Sequence, residues 1–168
     1  STIAHELGHS MHSFYSSSNQ NVIDANYTIM VAEVASTVNE ILLSEYQIKN
    51  EKDKKKKAEI LYELLEMIRA TFFRQAMFAE FEKIVHEKIE NKQMLSAKDL
   101  NKIYYKLNQK YFGNNMIIDD EIKYEWARIP HFYTDFYVYK YSTGISAAIC
   151  IASNILKQGE TFVNRYIE

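Results

Sequence analysis

His5-Glu6-Leu7-Gly8-His9 sets two imidazoles four residues apart, with a carboxylate directly after the first. On a helix of 3.6 residues per turn, positions i and i+4 share one face about a turn apart, so both rings can reach one cation with Glu6 beside them. Zinc is the expected metal, because two imidazoles and one further carboxylate leave a fourth position for water, as in catalytic rather than structural zinc sites. The chemistry such a pattern performs is hydrolysis by a metal-activated water, with Glu6 as general base. Gly8 weakens a helix by about 1 kcal/mol relative to alanine, so a backbone or a substrate passing close by is the expected reason for it.

Two histidines need a third protein ligand. Glu33 lies 24 residues after His9, inside Met30-Val31-Ala32-Glu33-Val34-Ala35. A bare carboxylate among such side chains is costly to bury, and a cation removes that cost. The interval accommodates the rest of a first helix, a short polar loop and the first turns of an antiparallel second helix. Glu40, two turns further along a similar face, and Asp24, in the loop, are the alternatives. His12 is expected to pack against the site or support it rather than ligate. Ser36 and Thr37 either orient Glu33 or bond their own i−4 carbonyls. His86, among Lys83, Glu87 and Lys88, reads as a surface residue, and Cys150, on an apolar helix, as a buried and inert thiol.

The elements that must position these groups read as helices. Only 4 Gly and 1 Pro occur in 168 residues, too few to punctuate many hairpins, so the fold expected is all-α. Apolar spacing predicts a first helix from Thr2 to about Ser16 and a second from about Tyr27 to Lys49, capped by Asp24 or Asn26 and buried in its first half. The charge run Glu51 to Lys57 reads as a solvated connection and helix start, and Ala58 to about Asn91 as one or two helices. Ser96 with Asp99 resembles a capping box opening a helix that stops at Gly113. Asp119, Asp120 and Glu121 suit a helix N-terminus, Pro130 interrupts or begins an element, and Phe132 to Lys157 reads as helical with Gly159 as its C-cap.

Charge and cysteine content narrow the function. Twenty Lys and Arg against 22 Asp and Glu give a net charge of −2, which offers no basic field for nucleic acid. A single cysteine makes no internal disulfide, and the longest nearly apolar stretch, Ile145 to Ile155, is short of the ~20 residues that span a bilayer. The expectation is a cytoplasmic protein that binds neither nucleic acid nor membrane.

The segments HELGHSMHS, VAEVASTVNE and RIPHFYTDFYVYKYSTG together resemble the oligoendopeptidase F branch of the thimet oligopeptidase family of zinc peptidases, over essentially the whole chain. The resemblance implies a zincin-type HExxH helix packed against the following ligand-bearing helix inside a multi-helix bundle. It implies one zinc ion held by His5, His9 and Glu33, with Glu6 as the base. It also implies a histidine and tyrosines that hydrogen-bond the substrate carbonyl: His131 matches the histidine, Tyr139 is the first match for the tyrosine, and Tyr137, Tyr133 and Tyr141 are the others. Short unfolded peptides are the implied substrates. Residues 1–168 would form the C-terminal helical portion of a larger catalytic domain, whose N-terminal portion completes the cleft. The competing expectation is an incomplete fragment or inactive homologue that binds zinc or peptide without turnover.

Overall fold

The computed structural model describes residues 2–168, which are all-α: among them are seven α-helices and no strand. In chain order these are α1 (Thr2–Asn19), α2 (Ile29–Asn50), α3 (Lys54–Ile68), α4 (Arg74–Glu90), α5 (Ala97–Phe112), α6 (Tyr139–Gln158) and α7 (Glu160–Ile167). A π-helical turn, Arg69–Phe73, joins α3 to α4, and two 3-10 segments, Asp120–Arg128 and Pro130–Tyr133, lie between α5 and α6. No described helix is long and apolar enough to cross a membrane.

The chain divides into two compact units. The first runs to Arg69 and resumes over Thr143–Glu168; the second is Ala70–Ser142. In the first, Val38 and Ile41 of α2 meet Ala148 and Ala152 of α6, with Val34, Leu42, Met67 and Ile155 around them. The two alanines fall at i and i+4, so one face of α6 is flat enough for close packing. In the second, Met77, Phe78 and Phe81 of α4 close on Tyr104 and Leu107 of α5 and on Ile129 and Val138. Full burial of each large apolar side chain contributes about 1.5–3 kcal/mol. Tyr104 is fully buried, and its hydroxyl donates to Glu125 Oε2 at 2.7 Å, while Arg74 and Arg128 pair with Glu125 Oε1.

Several helix ends follow from local chemistry. Asp53 Oδ1 accepts from Lys55 N at 2.8 Å and caps α3 within the charge run, whose lysines 54–57 form the first turn of that helix. Ser96 and Asp99 form the expected reciprocal capping box of α5, and Gly113, with φ of 72°, ends it. Gly159, φ 62°, separates α6 from α7.

Five expectations need correction. The N-cap of α2 is Thr28 rather than Asp24 or Asn26, because residues 21–25 form a turn of their own in which Asp24 N and Ala25 N both donate to Asn21 O. The first half of α2 is not wholly buried: Ile29 and Val31 are exposed, as they precede the stretch that meets α6. Helix α6 starts at Tyr139 rather than Phe132, since Pro130 opens a separate 3-10 turn and Phe136, at φ 52°, reverses the chain. Cys150 is exposed, because it sits about 200° around α6 from the buried face of Ala148 and Ala152. The acidic Asp120 and Glu121 do open an element, a 3-10 segment rather than an α-helix.

Candidate metal centre

The site begins with two helices that touch at their backbones. Gly8 is buried, and a Cβ built there would lie 2.6 Å from Ser36 Cα and 3.1 Å from Ala35 O. The glycine inside the motif is therefore explained by the passage of α2. Ser36 is itself small and fully buried, and its hydroxyl donates to its own i−4 carbonyl, Ala32 O, at 3.2 Å. Asn39 Nδ2 donates to Ala4 O at 3.5 Å one turn along. The loop is tied back by Ser16 Oγ, which donates to Ala25 O at 2.7 Å.

This crossing brings His5 and His9 of α1 to Glu33 of α2. Their Nε2 atoms are 3.1 Å apart. Glu33 Oε2 is 3.7 Å from His5 Nε2, and Glu33 Oε1 is 4.0 Å from His9 Nε2. One ligand atom from each residue lies within 4.8 Å of the others, and all three side chains are half-buried. The donor set fits a borderline-soft divalent cation: two facing imidazole nitrogens can share only one proton between them, whereas a cation takes both lone pairs and the carboxylate.

The other groups fall around this set. Glu40, an alternative ligand on spacing, stands on the far side of the ring, with Oε2 3.6 Å from His5 Nδ1. In that place it favours the tautomer with Nε2 free for a cation. Asp24 is exposed in the loop turn, and Glu6 is exposed on α1 beside His5. His12 packs its ring on Tyr27, centroids 3.9 Å apart, and its Nδ1 is buried without a hydrogen-bond partner. Burial first, then the neighbouring His9, hold the His12 imidazole below its ordinary pKa. A cleft of about 260 Å³ opens along Gly8, His12, Val34, Asn39 and Tyr166.

In the second unit, His131 follows Pro130 in the second 3-10 segment and gathers two tyrosines. Its ring stacks on Tyr137 with centroids 5.6 Å apart and meets Tyr141 edge-on at 5.9 Å; Tyr137 and Tyr141 are 5.7 Å apart. Tyr139, the first residue of α6, and Tyr133 are exposed. Two acidic side chains that the sequence reading passed over are also set here: Glu125 in the Tyr104 network, and Glu82, a buried carboxyl group facing the turn after His131.

Comparison with known proteins bears on this arrangement. Peptidase family M3 matches residues 1–166. Oligopeptidase PepF of Bacillus subtilis (strain 168) is 52% identical over 167 residues, covering 99% of this chain and 25% of that protein. Oligoendopeptidase F, plasmid, of Lactococcus lactis subsp. cremoris is 42% identical, with 99% and 28% covered. The crystal structure of oligoendopeptidase-F from Enterococcus faecium superposes with a TM-score of 0.87 at 43% identity, over 99% of this chain and 30% of that one. The chain thus spans about a quarter of the length of these curated relatives. With the family matched over nearly all its residues, and with helices superposing on those of a solved oligoendopeptidase, this chain belongs to peptidase family M3.

Proposed function

We propose that residues 1–168 are the metal-holding helical portion of the catalytic domain of a cytoplasmic zinc metalloendopeptidase, which hydrolyses short unfolded peptides. The observation that carries this reading is the convergence of His5, His9 and Glu33 across the Gly8 crossing. Family membership supports peptide hydrolysis, and the names of the relatives support oligopeptides as the substrate class.

His5, His9 and Glu33 would hold the zinc ion, which when bound would supply Lewis acidity and a water of lowered pKa, towards ~7. Glu6 accepts the proton of the attacking water on its carboxylate and returns it to the leaving amine. His131 and a tyrosine hydroxyl, from Tyr139 or Tyr137, donate to the carbonyl oxygen as it gains charge. Glu40 holds the proton of His5 on Nδ1. The rest of the longer enzyme forms the other wall of the cleft.

The test joins metal content by elemental analysis with cleavage of a quenched fluorescent peptide. One zinc per wild-type chain is expected, and none in Glu33→Ala. Glu6→Gln keeps zinc and loses turnover by about a hundredfold or more. Zinc without cleavage in the wild type would favour the reading that the chain spans too little of the enzyme to act alone, which its 25–28% coverage of the relatives supports. A folded wild type without zinc overturns the metal reading.

A further inference from the structure

Glu82 is only 5% exposed, in the aromatic core of the second unit next to Phe81. Its Oε1 accepts the backbone N–H of Phe136, 54 residues later, at 2.7 Å. Phe136 holds φ at 52°, a region that a bulky side chain enters only when its surroundings over-determine it. One turn further along α4, the His86 ring lies against the Phe136 ring, centroids 4.6 Å apart. Two successive turns of one helix thus grip the same residue, by backbone and by side chain.

The turn so gripped has a particular place. It follows the 3-10 stretch that bears His131 and precedes Tyr137, whose ring stacks on His131. Val138, fully buried in the same core as Phe81, anchors its far side. We propose that Glu82 is a positioning residue, holding the reversal at Phe136 that sets Tyr137 against His131. A carboxyl group is disfavoured in an apolar core unless it bonds there, and this one bonds a main-chain N–H whose direction fixes the turn. The catalytic consequence rests on the reading of His131 and Tyr137 given above; the structural consequence does not.

The experiment compares the zinc-supplemented wild type with Glu82→Met, which fills the space without an acceptor, and with Glu82→Gln, which keeps one. Amide hydrogen exchange over residues 131–141 should accelerate about tenfold or more in Glu82→Met and stay near wild type in Glu82→Gln. Zinc content should be the same in all three. For a fluorescent peptide, kcat should fall about tenfold to a hundredfold in Glu82→Met with KM little changed, because the group displaced acts on the transition state. Unchanged exchange in Glu82→Met, or equal acceleration in both variants, overturns the proposal. Faster exchange with unchanged kcat overturns its catalytic consequence. If the wild type holds zinc but turns over nothing, the outcome expected where the chain spans too little of the enzyme to act alone, exchange alone decides the role of Glu82. Should Glu82→Met not fold, Glu82→Asp, which withdraws the acceptor by one methylene, is read in the same way.

Discussion

His5 has a carboxylate on each side of its ring, and the two have different work. Glu33 approaches Nε2 and Glu40 approaches Nδ1. An acceptor on the nitrogen away from the metal fixes the ring and raises its basicity, and loss of such a partner lowers metal affinity by about 10–100-fold. Glu40→Ala should therefore weaken zinc binding by about that factor in competition with a chromophoric chelator, and Glu40→Gln by less, since its amide oxygen still accepts. The pairing of His5 with His9 was legible because helical periodicity converts a sequence interval into a shared face, and Glu33 because a carboxylate among apolar neighbours calls for a partner. The same periodicity left Glu40 among the alternatives, since it gives the face but not which ring nitrogen the carboxylate meets. Glu82 was illegible: flanked by Phe81 and Lys83, it has the pattern of a solvated position, and its partner lies 54 residues away.

At the scale of elements, the α1–α2 crossing decides whether the three donors meet at all. Adding one methyl at Gly8 forces the helices apart at Ser36, where the atom met is backbone and cannot rotate away. Gly8→Ala should destabilise the chain by about 1–3 kcal/mol, checked by chemical denaturation, even though alanine is the better helix former. It should also weaken zinc binding, whereas alanine at exposed Ser10 should do neither. Helix ends set by neighbouring residues were readable, as at Ser96 with Asp99 and at Gly113. Those set from a distance were not: the start of α6 depends on a reversal held by α4, and the start of α2 on a turn that engages the candidate caps before the helix begins.

At the scale of the whole molecule, composition announced helices and little else. No linker marks the division into two units, because α6 runs through the boundary at residues 142 and 143. The second unit carries a feature that makes folding stability pH-dependent. Burial, then a hydrogen bond to Glu80, pushes the Tyr111 hydroxyl up to about 12; burial and Glu125 push Tyr104 up as well. A group whose pKa is raised on folding contributes stability that is fully present below its unfolded value of about 10 and lost as pH rises through the folded value. Denaturation midpoints should thus decline from about pH 10 towards 12, and Tyr111→Phe together with Tyr104→Phe should flatten that decline.

Gly8 also changes what the pentapeptide can be used to find. Written as two histidines and a glutamate with two free positions, the pattern treats Leu7 and Gly8 alike, yet Leu7 is exposed and Gly8 is pressed against another helix. In a library carrying every amino acid at each site, position 7 would tolerate most replacements, and position 8 would sort with positions 5 and 9. Selection there would act on the separation of two main chains, at a residue that carries no reactive group.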